Sequence, residues 1–272
     1  MENGGICLTF DSCTNLTAPD QTKFVSSQIE CPTSKSSDLI IIVSGVNQLI
    51  KDLQPELLDF RNESCDPTFE LFAPAGIQFG TGGYFKSGEL VICGGQIVDS
   101  DPYSSIEFNE KCYKADEGQM SFYTKMTSVR AFASGTVVQN GKKLWILGGY
   151  DGYNILNTTE YIENGVSYSG PELPLPLTDF DIVNLNESTY FILGGASSDQ
   201  EFSEKTFFYS EDGKEWINGP DLMHGRYGHK AGLITDSVTQ EQYIAVVGGY
   251  GYDGLTDSVE ILINASQFSK GN

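Results

Sequence analysis

The chain has 272 residues and a formal net charge of −21. Such a surface disfavours nucleic acid and acidic membrane as partners, and no apolar run reaches the roughly 18 residues that a membrane-spanning helix needs. Thirty glycines, abundant Tyr, Phe, Val and Ile, and few helix-type patterns give an all-β composition.

Residues 1–37 are polar and carry Cys7, Cys13 and Cys31. Two short apolar patches within them, Ile6–Phe10 and Phe24–Ile29, read as strands. The start, MENGGICLTF, has neither the basic beginning nor the long apolar stretch of a secretory signal. From residue 38 to 263 one pattern recurs: an apolar strand, a Gly-Gly pair, a polar turn and a second short strand. The clearest copies run from Leu144 to Glu160 and from Tyr243 to Glu260. The second glycines are Gly95, Gly149, Gly195 and Gly249, with Gly45 in a degraded copy that has Ser44 in first place. They recur about every 50 residues, a period that points to propeller blades. Glycine belongs there because the backbone turns sharply, at positive φ, where a Cβ has little room.

The expected Gly-Gly strands are Leu39–Val43, Leu90–Cys93, the run from Leu144 in a repeat that begins at Lys143, Tyr190–Leu193 and Tyr243–Val247. In the first repeat Glu56–Phe60 and Phe69–Phe72 follow, and Phe79–Tyr84 leads back to the centre. In the second, either Ile106–Phe108 or Lys111–Tyr113 comes next, then Ser121–Met126, with Arg130–Val138 as fourth strand. The third has Thr158–Ile162 and Val166–Tyr168, then a stiff loop at Pro171, Pro174 and Pro176. The fourth has Lys205–Ser210, a tight turn at Glu211–Lys214, a strand around Trp216 and Arg226–Ile234. The fifth has Ser258–Ile263 and then only the tail 264–272, so two strands look missing. Either the N-terminal patches supply them and close a five-blade ring, or the ring lacks a sixth repeat.

The order Gly194-Gly195, Phe208-Tyr209, Trp216, Leu222-Met223, Arg226-Tyr227-Gly228-His229 and Gly248-Gly249 resembles the kelch repeat. The third repeat departs from it, with Tyr168 where Trp is usual and Phe180 where Arg is usual; the first is a poor match. The resemblance implies a kelch-type β-propeller of four-stranded blades that binds a protein or glycan, with function carried by its loops.

Candidate sites follow from residue chemistry. Arg130 and Arg226 open equivalent strands; the resemblance implies that they look toward a channel mouth, where a guanidinium pairs with carboxylates. The other reading is a consensus residue packed between blades. Tyr150, Tyr153, Tyr250 and Tyr252, with Tyr227, stand in or beside the Gly-softened loops as interface anchors, or their loops are turn chemistry alone. His224 and His229 are the only histidines, and no Cys or third His stands near them, so no metal and no cofactor is expected. Six cysteines all fall in the first 112 residues; Cys93 and Cys112, on successive strands, are the expected bridge, with reduced thiols as the alternative. Asn15, Asn62, Asn157, Asn186 and Asn264 head glycosylation sequons. Cysteines and sequons together favour an extracellular or secretory setting. The expected function is non-catalytic ligand binding. The alternatives are an intracellular substrate-recognition propeller of a ubiquitin-ligase adaptor and, behind it, a copper oxidase or sugar-modifying enzyme.

Overall fold

The computed structural model describes residues 39–42, 56–59, 64–66, 77–97, 106–116, 119–198, 201–235, 241–264 and 267–270. Within them the fold is all-β, built from antiparallel sheets with no helix. Four sheets have four strands each. Sheet A contains Thr81–Tyr84, Leu90–Cys93, Lys111–Asp116 and Gln119–Lys125. Sheet B contains Ser134–Val138, Lys143–Leu147, Thr159–Glu163 and Val166–Ser169. Sheet C contains Asp181–Asn186, Thr189–Leu193, Thr206–Ser210 and Glu215–Asn218. Sheet D contains Lys230–Thr235, Gln242–Val247, Val259–Asn264 and Gln267–Lys270. Earlier in the chain Leu39–Ile42, Glu56–Asp59 and Ser64–Asp66 form a three-stranded sheet.

Within each of sheets A to D the strands pair in chain order, and the first strands of successive sheets lie side by side. This is a blade-like order. It corrects the grouping expected from the repeats. The strand after Arg130 does not finish the second repeat; Ser134–Val138 pairs with Lys143–Leu147 and opens sheet B. A short turn over 139–142 joins those two strands, and short antiparallel connections make neighbours. Every Gly-Gly strand of sheets A to D is therefore the second of its sheet, not the edge. The same shift removes the apparent deficit at the C-terminus. Gln267–Lys270, within the expected tail, pairs with Val259–Asn264, so sheet D has four strands. Lys111–Asp116 is the strand that joins sheet A, whereas Glu107–Phe108 pairs with Gln96–Ile97 in a small sheet beside it. The patches Ile6–Phe10 and Phe24–Ile29 and the expected strand Phe69–Phe72 lie outside the described residues.

The core lies between sheets. Leu144, Trp145, Ile146 and Leu147 are all buried because both faces of their strand are covered. Leu144 and Ile146 pack toward sheet A with Val91, Cys93 and Ile162. Trp145 and Leu147 pack toward sheet C with Tyr190, Ile192, Phe207 and Tyr209. Sheet C repeats this logic, sending Phe191 and Leu193 to meet Ala231, Ile244 and Val246 of sheet D. A continuous apolar run, rather than alternation, is the pattern that such sandwiched strands require. Cys93 and Cys112 face one another in register in sheet A and are joined by a disulfide.

The glycine pairs stitch sheet to sheet. Gly148 N–H donates to Thr158 O of its own sheet, while Gly149 N–H donates to Leu177 O at the entry to sheet C. Both have positive φ, 59° and 94°. A Cβ on Gly148 would stand 2.3 Å from Leu177 O, and one on Gly149 2.7 Å from Ala131 O. Conformation and close approach on both flanks therefore require glycine.

Candidate functional site

At the Gly-Gly end, each of sheets A to D is entered by a short segment that bridges to the loop after its own Gly-Gly pair. Ile77–Gln78 pairs with Gln96–Ile97, Ala131 bridges Tyr150, Thr178 bridges Ala196, and Arg226–Tyr227 pairs with Tyr250–Gly251. Next in these segments stand Phe79, Phe132, Asp179 and Gly228, with φ of 57°, 57°, 54° and 64°. Phe132 N–H donates to Phe79 O, Asp179 N–H to Phe132 O, and Gly228 N–H to Asp179 O. These bonds make a collar that ties successive sheets together, and they account for three non-glycine residues in the left-handed region.

The collar carries an aromatic pair and a carboxylate. Phe79 and Phe132 stack with ring centroids 4.3 Å apart. Beside them, Asp179 is partly buried, and its Oδ2 accepts from Thr178 Oγ1 at 3.1 Å. Burial pushes its carboxyl up to about 6, against the lowering influence of the Thr178 hydroxyl and Lys230. Lys230 itself stands 3.8 Å from Asp181 Oδ1, and Asp181 Oδ2 accepts from Ala231 N–H.

A larger aromatic cluster lies next to Asp179. Tyr227 and Tyr250 face each other across the short Arg226–Tyr227 and Tyr250–Gly251 pairing, with centroids 5.6 Å apart. Phe202, from the loop after Gly194-Gly195, stacks on Tyr227 at 5.7 Å and on Tyr250 at 6.2 Å. Tyr252 meets the edge of Phe202 at 6.5 Å and is 90% exposed. Burial raises the Tyr227 phenol, and Tyr250, Asp179 and Glu201 raise it further, which puts both carboxylates within electrostatic reach of this ring. The structure thus brings Tyr227, Tyr250 and Tyr252 together around one residue. Sequence reasoning missed Phe202 because it belongs to a different repeat; its signal was a lone aromatic in the loop after the preceding Gly-Gly pair. It also missed Asp179, which fills a collar position that holds Phe in sheets A and B.

Tyr150 and Tyr153 are placed apart from this cluster. The Tyr150 ring packs edge-on against Phe108, and its hydroxyl donates to Gly152 O. Tyr153 is 90% exposed.

The two arginines are buried. Arg130 and Arg226 are each 1% exposed. Arg130 Nη1 donates to Gly148 O and Thr158 O, and Nη2 to Glu160 Oε1 at 2.6 Å. Arg226 repeats this with Gly248 O, Ser258 O and Glu260 Oε1, the last also at 2.6 Å. Burial raises the Glu160 carboxyl, but the Thr127 N–H, Arg130 and the Ser167 hydroxyl outweigh it and hold the group below the usual carboxylate range. These donors satisfy carbonyls that the Gly-Gly turn exposes.

The two histidines stand in different surroundings. His229 is buried, and burial, Arg226 and Lys230 drive its imidazole down to about 3, so the ring is neutral. His224 is largely exposed and lies 3.5 Å from Glu260 Oε1. Among the described residues no group of three or more His, Cys, Asp or Glu is arranged to hold a metal ion, and no helix is long and apolar enough to cross a membrane.

Two sequons can be placed by side chain. Asn186 is exposed at the end opposite the Gly-Gly pairs. The Asn157 amide donates to Glu172 Oε2 at 3.2 Å. Asn15 and Asn62 lie outside the described residues, and Asn264 is described by its backbone alone.

No protein-family model matches the chain, and no curated protein matches it.

Proposed function

We propose that the chain is a kelch-type β-propeller that binds a protein ligand, without catalysis, through the Gly-Gly end of sheets C and D. One observation carries this reading: Phe202, Tyr227, Tyr250 and Tyr252 form a contiguous aromatic surface, with Tyr252 almost wholly exposed. Aromatic side chains lose little conformational entropy on binding and dominate protein interfaces. The four-stranded sheets with side-by-side first strands support the propeller part of the reading. The kelch part rests on the repeat motifs. An extracellular or secretory setting is part of the proposal, supported by the Cys93–Cys112 disulfide and the open Asn186 sequon.

The test is selection of a displayed random-peptide library on the native protein. Selected peptides are expected to lose about 10-fold or more in affinity on Tyr250→Ser plus Tyr252→Ser, a loss of at least about 1.4 kcal/mol. Selection of no peptide, or of peptides indifferent to both substitutions, contradicts the assignment.

A further inference from the structure

Resting on that reading, we infer that the aromatic surface takes a cationic side chain, an arginine or lysine of the partner protein. Asp179 supplies the counter-charge, and Tyr227 with Phe202 the flat apolar surface beside it.

Three observations converge. First, Asp179 is a recessed carboxylate that forms no ion pair with any described cation. Its Oδ2 has a single neutral donor, Thr178 Oγ1. The nearby ammonium of Lys230 is placed against Asp181 instead. A partly desolvated carboxylate without a counter-ion is costly, and an incoming cation relieves that cost. Second, Asp179 is tied to the aromatic segment: its carbonyl accepts from the N–H of Gly228, the residue after Tyr227. Asp179 and Glu201 both act on Tyr227, and Phe202 lies nearly parallel to Tyr227, with an interplanar angle of 8°. A guanidinium stacks on such rings while its edge donates to a carboxylate, and an ammonium is drawn to the same faces. Third, the chain carries a net charge of −21, so long-range steering favours basic partners and opposes acidic ones.

A neutral glycan would use the rings and could donate hydroxyls to the carboxylate, but would bring no counter-charge. An acidic peptide would meet Asp179 and Glu201 with like charge. The observations therefore favour the cation over both.

The probe is a fluorescein-labelled peptide with arginines spaced by Gly-Ser, compared with its Lys, Gln and Glu analogues by fluorescence polarisation at physiological salt. The Arg and Lys peptides are expected to bind about 10-fold or more tightly than the Gln peptide, and the Glu peptide weakest. Asp179→Asn removes the charge but keeps an acceptor for Thr178 and a residue that tolerates positive φ, so the fold survives. It is expected to abolish most of the preference for cations. Glu187→Gln makes the same charge change on an exposed turn at the opposite end and is expected to alter affinity by less than about 2-fold. Tyr252→Ser, at a side chain almost wholly in solvent, is expected to weaken all binding without affecting folding. Equal effects of Asp179→Asn and Glu187→Gln overturn the proposal, because they reduce it to net charge. Preference for the Gln or Glu peptide, or no binding by any of them, overturns it as well. Library-selected peptides that depend on Tyr250 and Tyr252 but carry no cation would defeat this inference and leave the protein-binding assignment standing.

Discussion

His229 packs its imidazole against Gly194, where a Cβ would come within 2.5 Å of the ring, and neither ring nitrogen makes a hydrogen bond of ordinary geometry. The Leu193 and Arg226 carbonyls lie close enough to favour protonation, but burial outweighs them. The corresponding residue at the entry to sheet C is Phe180, which packs against Gly148 in the same way. The site is thus an apolar wedge that happens to hold a histidine. Its folded-state value near 3 lies below the unfolded value of about 6.5. Stability from a neutral His229 is complete above about 6.5 and is lost as pH falls toward the folded value, because only the unfolded chain takes up the proton. His229→Phe is expected to fold and to lose less stability on acidification. Between pH 7 and about 4.5 the wild type should lose about 2 to 3 kcal/mol more than the variant, measured by denaturant unfolding at both pH values. An equal loss in both proteins would show that the imidazole titrates normally in the fold.

At the scale of elements, the entry segment and the third strand of a sheet are matched as a pair. Sheets B and D carry Arg130 with Glu160 and Arg226 with Glu260. Sheet C carries Leu177 and Phe207 at the corresponding places, and both lie in one apolar cluster. An ion pair in two sheets and an apolar pair in the third are alternative ways to fill one cavity. Arg130→Leu alone leaves Glu160 buried without its cation and is expected to cost about 3 to 5 kcal/mol. Arg130→Leu with Glu160→Phe, which copies sheet C, is expected to cost clearly less than the two single changes summed, as a denaturation double-mutant cycle reads it. Additive costs would separate the two positions energetically.

Much of this level was legible in the sequence. The apolar runs Leu90–Cys93, Leu144–Leu147 and Tyr190–Leu193, each ended by Gly-Gly, were visible because a strand covered on both faces has no polar alternation. The sheet to which each flanking strand belongs was not. Ser134–Val138 lies between two Gly-Gly strands in the chain, and only the short turn over 139–142 decides its partner. Gln267–Lys270 was read as a tail because its polar sequence carries no strand period, while its ladder is set by the neighbouring strand. The candidate site was legible in part. Tyr250 and Tyr252 announced themselves as loop aromatics. Arg130 looked available because its partner Glu160 lies 30 residues away. Phe202 and Asp179 join the site only through packing between sheets.

At the scale of the whole molecule the two ends of the sheets differ. The Gly-Gly end holds the collar, the Asp179 carboxylate and the cluster around Phe202. Among the described residues the opposite end carries short turns, including 139–142, 187–188 and 211–214, joined by polar contacts such as Gln139 with Glu211 and Ser188 with Asp212. The Asn186 sequon is at that end, so a glycan there would leave the aromatic surface open. Ligands are expected to bind at the Gly-Gly end only. Hydrogen exchange measured with and without a library-selected peptide tests this most directly. Added protection is predicted in 201–203, 226–228 and 250–255, with none at 139–142, 187–188 or 211–214. Protection at the opposite turns, with the loops around Phe202 and Tyr250 unchanged, would contradict it.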